Sequence, residues 1–174
     1  MKYCQHCGHF LQEEILGLSY ICPGCGKHAY ENPVMAVEAA LFDEDGRVLL
    51  GRRTREPSVG QLDLPGGFLD PHETLEDGLM RELREELAIE PDAYGPLRYA
   101  GSRVDTHTQE DNTRQVVVAI FTTSIAHRDF VPNDEVDEFV WKLSHELTPQ
   151  EATSQAAYDH IAAAAKQHNA DHQQ

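Results

Sequence analysis

The sequence predicts an α/β domain preceded by a small zinc ribbon, and three observations carry that expectation. All four cysteines fall within the first 25 residues, as two Cys-x-x-Cys pairs. Beyond them, short β-leaning apolar runs recur between turn signals. Two segments with helical patterns interrupt these runs, one with leucines at every fourth position and one rich in alanine near the end.

At 174 residues, 40% hydrophobic and 25% charged, the chain suits one ordinary domain with a small appendage. The ribbon is expected over 1–31, the main domain over 32–168, and a disordered tail over 169–174. No apolar run approaches the roughly 20 residues that a membrane-spanning helix needs. The start, MKYCQHCGHF, also lacks the apolar segment of a signal peptide. A cytoplasmic protein with no membrane partner is therefore expected.

CQHC at 4–7 and CPGC at 22–25 are each followed by glycine, Gly8 and Gly26, which permits the left-handed backbone of a metal knuckle. Cys4, Cys7, Cys22 and Cys25 are the predicted ligands of one tetrahedral zinc; a pair of disulfides is the alternative, disfavoured in a reducing compartment. Four thiolates complete the shell, so His6, His9 and His28 are read as solvent-exposed. AYENP at 29–33 reads as a linker. VMAVEAALF (34–42), the DEDG turn and RVLLGRR (47–53) read as a hairpin. A short LDLP strand precedes the Gly66-Gly67 turn, and a helix fits Thr74 to Leu87, with Leu75, Leu79, Leu83 and Leu87 as its apolar stripe. LRYAGSRVDT and RQVVVAIFTTSI read as long strands and EFVWKL as a shorter one. Thr148, Pro149 and Glu151 supply a cap, a first-turn proline and a capping-box acid, predicting a terminal helix from there to about His168.

The net charge of −16, from 30 acids against 14 Lys and Arg, repels nucleic acid and anionic membranes. A polyanionic small molecule would need local help from arginines or from a bound cation. RELREE at 81–86 offers a place for such a cation. On a helix, Glu82, Glu85 and Glu86 fall within roughly 60° of one another. Glu82 and Glu86 are like charges four residues apart, which costs a few tenths of a kcal/mol, about 0.2–0.5. A divalent ion would offset that repulsion, and hard carboxylate oxygens select Mg²⁺ or Mn²⁺. The alternative is an acidic surface helix.

Gly67, Glu73 and the run Arg81-Glu82-Leu83-Arg84-Glu85-Glu86-Leu87-Ala88-Ile89 resemble the signature of the Nudix hydrolases, GX5EX7REUXEEXGU with U aliphatic. Only the last glycine departs, replaced by Ala88. Alanine at this helix exit is expected to cost about 1 kcal/mol or to move the exit by one residue. Leu62 stands where many relatives carry tryptophan. The flanking LDLPGGFLD, VLLGRR and EVDEFVWKL are also similar to family segments, so the resemblance covers roughly residues 34–150.

The resemblance implies a Nudix-type α/β/α sandwich with a mixed sheet, and hydrolysis of a nucleoside diphosphate linked to another moiety. Glu82, Glu85 and Glu86 would ligate Mg²⁺ or Mn²⁺, with the Gly66 carbonyl as a further ligand. Glu73 and Arg81 would brace the loop and helix around them. Glu135 is the candidate general base, with Glu85 next. Arg52 and Arg53 are candidate substrate-binding residues. Tyr99, Arg103 and His107 alternate on one strand and are candidates for the pocket face, as is Arg114 on the next. A ribbon ahead of a Nudix domain is similar to two groups, NADH pyrophosphatases and a group cleaving FAD or ADP-ribose. The Ser-Gln-Pro-Trp-Pro-Phe-Pro run of the first is missing, and Trp141 is the only tryptophan. ADP-ribose or FAD is therefore the expected substrate, and NADH or NAD the alternative. A non-catalytic nucleotide sensor or nucleic-acid-binding protein is the reading from another class. The ribbon carries only Lys2 and Lys27 beside Glu13, Glu14 and Glu31, too few cations for a phosphate footprint. Homodimers are common in the family, so the resemblance allows a homodimer, while the sequence itself does not fix the oligomeric state.

Overall fold

The computed structural model describes residues 2–11, 19–30, 32–109 and 112–171. The chain divides into two compact units, Met1–Pro33 and Val34–Gln174.

In the first unit, β1 (Lys2–Tyr3) pairs with β2 (Phe10–Leu11), and β3 (Ser19–Ile21) with β4 (His28–Tyr30). Each strand pair flanks a Cys-x-x-Cys turn, and the two turns close identically. Gly8 N donates to Cys4 O and Gly26 N to Cys22 O, both at 2.8 Å, with φ of 71° and 70° at the two glycines. The expected charges at Glu13, Glu14 and Glu31 lie outside the described residues.

The second unit is built on a mixed sheet in the order β11 (Val136–Lys142), β6 (Val48–Arg53), β5 (Val34–Phe42), β10 (Asn112–Ser124), β9 (Arg98–Gln109). Among the described strands of this sheet, β5 and β10 are the only neighbours that pair in parallel. The apolar run of β5 reflects burial on both faces, as a central strand requires. Its odd-numbered Val37, Ala39 and Leu41 pack toward α1 (Leu75–Leu87). Ala36, Ala40 and Phe42 pack on the other side, with Ile161, Ala164 and Ala165 of α2 (Gln155–Asp171). The sheet is thus filled between two helices, an α/β/α sandwich.

The expected hairpin of β5 and β6 is confined to its turn, where Phe42 pairs with Val48. Past that pair, β7 (Leu62–Asp63) pairs with β6, and β8 (Gly66–Phe68) with β5. The two short strands wedge the LPGG turn into the sheet, so the outer strands splay around it. Gly66 is required there: a Cβ on it would lie 2.1 Å from the Val37 carbonyl oxygen.

Helix α1 starts as its sequence dictates, with Thr74 Oγ1 accepting from Asp77 N at 3.1 Å. Leu79, Leu83 and Leu87 are buried and Leu75 packs on the same cluster. The helix leaves through Ala88 itself in the left-handed region, φ 53°, without moving by a residue. Ala88→Gly is accordingly expected to stabilise the protein by about 1 kcal/mol, read as a raised urea midpoint at unchanged slope.

The terminal helix begins later than Thr148-Pro149-Gln150-Glu151 predicts. Thr148 N and Oγ1 do donate to Glu151 Oε2, at 2.9 and 3.0 Å, but they close a turn rather than a helix. Ala152 then bridges to Leu62 and draws the chain back to the sheet. Helix α2 starts at Gln155, with Ser154 Oγ accepting from Ala157 N at 3.0 Å. It runs to Asp171, into the stretch expected as tail, because buried His168 stacks on Phe42 with ring centres 4.2 Å apart. Residues 172–174 lie outside the described residues. No described helix is long and apolar enough to cross a membrane.

Candidate active site

A cavity of about 390 Å³ opens where β7 and β8 enter the sheet. Its lining joins Gly66, Gly67 and Glu86 to Glu38, Asp63 and Arg103 on the sheet, and to Arg53, Arg55 and Glu135 at the edge. Arg103 and His107 reach it as their alternation predicts. Tyr99 does not: a bulge between Ile120 and Phe121 shifts the register, and Tyr99 packs edge-on to Phe121. Arg114 lines a second cavity beside Phe68 and His107.

The signature residues assemble around Arg81. Its guanidinium donates to Glu73 Oε1 and Oε2 at 2.8 and 3.0 Å, to Glu82 Oε1 at 2.7 Å, to Glu85 Oε2 at 3.2 Å and to the Phe68 carbonyl at 2.9 Å. One cation therefore ties the loop after the glycine turn to three acids. Glu73 also accepts from Asp70 N, and the hydrogen bond from Arg81 holds its carboxyl below the ordinary glutamate value.

Glu82 and Glu86 point inward, and Glu85 does not. Burial raises Glu82 against the opposing Arg81 contact, and it pushes Glu86 up to about 8, helped by the fields of Glu82, Glu135 and Asp63. Glu86 Oε2 accepts from Gly66 N at 2.9 Å, placing the carboxylate against the glycine turn. Glu85 is largely exposed. Among the described residues, only the four cysteines gather three or more ligand atoms within 4.8 Å of one another, so the three glutamates form a looser set. The two inward carboxylates, beside a turn whose close backbone approach excludes any Cβ, fit a hard divalent ion. Their raised affinity for protons is the same electrostatic demand for positive charge.

This burial sets a pH dependence. A carboxylate whose folded pKa is raised contributes stability below its ordinary value of about 4.5, and that contribution is lost as pH rises through about 8. Chelator-treated protein should therefore lose stability across this window relative to Glu86→Gln. Added Mg²⁺ should restore it, with thermal melts of the two proteins giving the difference in slope.

Glu135, the candidate base, sits on the loop before β11. Asn133 fixes this loop: its Oδ1 accepts from Glu135 N and Val136 N at 2.8 and 2.9 Å, while its Nδ2 donates to the Glu86 carbonyl at 3.1 Å. Nothing local in the sequence marks Asn133 for this role. Arg55 was equally unmarked, yet it lines the cavity and pairs with Glu135. Of the two candidate arginines, Arg53 lines the cavity, 3.5 Å from Asp63. Arg52 is turned to Glu138 and the Gly60 carbonyl, at 3.0 and 2.9 Å. Leu62 is a core residue with no exposed surface.

Glu38 and Arg103 form the cavity's buried ion pair, with Arg103 Nη1 and Nη2 on the two Glu38 oxygens at 2.7 and 2.6 Å and Nε on Asp105 at 3.2 Å. Glu38 is the one charge in the apolar β5 run, a signal in the sequence that a partner must exist. Burial beside Glu38 pushes Asp63 up to about 7.

In the ribbon, Cys4 Sγ lies 3.8 Å from Cys25 Sγ and Cys7 Sγ 3.7 Å from Cys22 Sγ, all four as free thiols. These spacings match the roughly 3.8 Å edge of a tetrahedron with about 2.3 Å metal–sulfur bonds. The His6 backbone hydrogen bond lowers Cys4 to about 7; the His9 backbone hydrogen bond lowers Cys7, but burial and the neighbouring thiols outweigh it and push Cys7 up to about 12. The four cysteines could hold zinc, and His6 and His9 are exposed as expected.

The NUDIX domain model matches residues 32–164. The chain belongs to the Nudix family. Its Nudix domain is 28% identical over 109 residues to an ADP-ribose pyrophosphatase of Methanocaldococcus jannaschii, covering 63% of this chain and 61% of that one. It is 33% identical over 114 residues to a nucleoside triphosphatase NudI of Enterobacter sp., covering 62% and 80%. An NAD-capped RNA hydrolase NudC of Pseudomonas fluorescens is 28% identical over 159 residues, 90% of this chain and 53% of its own length. The chain thus spans between about half and four fifths of these relatives. Among solved structures, the MutT protein of Methanosarcina mazei superposes with a TM-score of 0.64 at 26% identity, covering 80% of this chain and 99% of that one.

Proposed function

We propose that the protein is a Mg²⁺- or Mn²⁺-dependent Nudix hydrolase that cleaves the diphosphate bond of a nucleoside diphosphate linked to another moiety, with ADP-ribose or FAD as substrate. The observation that carries this is one cavity lined by both carboxylates and guanidinium groups. Glu86 and the glycine turn line it together with Arg53 and Arg55, and the Glu82 carboxylate lies against Gly67. A diphosphate needs both, a cation held by carboxylates and guanidinium groups for its remaining oxygens.

Glu82 and Glu86 would hold the ion, with the Gly66 carbonyl as a further ligand and Glu85 at its exposed side. When bound, the ion neutralises phosphate charge and lowers the pKa of water. Arg81 and Glu73 fix the rotamers of the ligand carboxylates, so their role is positioning. Glu135, held by Asn133 beside Glu86, would take the proton of the attacking water. The oxygen of that water bonds to phosphorus as the bridging phosphorus–oxygen bond breaks, and the departing phosphate leaves with the electron pair.

ADP-ribose is favoured by the likeness to an ADP-ribose pyrophosphatase. NADH or NAD is the second reading, favoured by the NudC-like relative, whose match extends over 90% of the chain. The ribbon is proposed to hold a structural zinc, and the protein to be cytoplasmic and homodimeric.

Steady-state hydrolysis of ADP-ribose, FAD, NADH, NAD and nucleoside triphosphates with Mg²⁺ or Mn²⁺ tests the reading. The highest kcat/KM is expected for ADP-ribose or FAD. A preference for NADH would replace the substrate with the second reading, and a preference for triphosphates would remove the diphosphate-X reading.

A further inference from the structure

Three permanent cations line the candidate active-site cavity among the described residues, Arg53, Arg55 and Arg103, and they differ in how firmly they are held. Arg103 is locked onto both Glu38 oxygens and Asp105, with its side chain 6% exposed. Arg53 donates Nε to the Pro57 carbonyl at 3.2 Å and sits near Asp63. Among the described residues Arg55 pairs with the Glu135 carboxylate alone, and both side chains are more than half exposed, at 59% and 57%. An exposed pair of this kind contributes little net stability and exchanges readily.

The backbones that carry this pair are fixed. Thr54 N donates to Glu135 O at 3.0 Å and Thr54 Oγ1 to Asp134 O at 2.8 Å, while Asn133 ties the same loop to the end of α1. The exchangeable contact therefore sits on a rigid frame at the cavity mouth. Arg55 neutralises Glu135 there, and Glu135 is close enough to act electrostatically on Glu82 and Glu86.

We infer that Arg55 is a substrate-binding residue that exchanges Glu135 for an oxygen of the substrate's diphosphate, and that this exchange releases Glu135 within the cavity that Glu86 also lines. The inference rests on the diphosphate reading above. The diphosphate as a whole carries two negative charges and can accept a guanidinium through two oxygens, whereas Glu135 carries one charge and takes a single hydrogen bond from Arg55. Substrate arrival thus frees the base only once the phosphates are seated.

ADP binding to the full chain in Mg²⁺, measured by calorimetry, reads the exchange without turnover. Arg55→Ala should weaken ADP about tenfold, and Arg55→Lys should fall between the two. Arg47→Ala removes a guanidinium at the β5–β6 turn, outside the cavity lining, and should change nothing. Glu135→Ala removes the competitor and should tighten ADP binding, an effect that must vanish when Arg55→Ala is also present. Wild-type binding that Arg55→Ala leaves unaltered would overturn the inference alone. Tightening by Glu135→Ala that persists without Arg55 would show general repulsion in place of exchange and would also overturn it. Failure of the wild-type protein to bind ADP would remove the inference together with the diphosphate reading.

Discussion

Glu86→Gln is expected to reduce kcat by about a thousandfold while leaving the fold intact, because it removes one inward carboxylate of the proposed ion site and keeps its shape. Gly66 N can still donate to the remaining amide oxygen, so the glycine turn keeps its hydrogen bond. The buried charge that the metal-free protein must otherwise carry is gone, so the variant should melt higher than the wild type in chelator at pH 8. A variant that loses activity while gaining metal-free stability separates a ligand from a structural glutamate. Retention of more than a tenth of wild-type kcat would show that Glu86 is not a ligand.

Arg103→Met is expected to destabilise the protein by about 3–5 kcal/mol, since it leaves Glu38 in the sheet interior with no compensating charge. Replacing both partners, Glu38→Leu with Arg103→Met, should recover most of that loss, because two apolar side chains need no hydrogen bonds there. Urea denaturation of the two single variants and the double gives the coupling directly. Single-variant losses below about 1 kcal/mol would mean that water already reaches the pair. The double variant should still lose activity, since Arg103 and Glu38 both line the cavity.

What could be read from the sequence was what is local along the chain. The cysteine knuckles close over four residues, and α1 carries its cap, its leucine stripe and its acids within one segment. Arg81 finds Glu73, Glu82 and Glu85 within eight residues. The strand pairings were harder, because β5 is apolar on both faces and gives no period that names its neighbours. Its splaying from β6 depends on β7 and β8 entering between them, which no hairpin rule encodes. Glu38 announced a missing partner, but Arg103 lies 65 residues away and its strand pattern allowed either face. The frame of Glu135 is likewise non-local, since Asn133 spans 47 residues to reach Glu86. Thr148 to Glu151 shows the reverse failure. The capping hydrogen bonds formed as written, but pairing of Ala152 with Leu62 outweighed helix propagation.

The proposed hydrolysis directs water onto phosphorus between two phosphates. Hydrolysis of ADP-ribose in water enriched in oxygen-18, with Mg²⁺ and mass analysis of the products, tests that claim most directly. AMP and ribose 5-phosphate are expected, with one labelled oxygen on the phosphate of one product. Intact ADP-ribose after incubation, or products in which no phosphate carries the label, would contradict it.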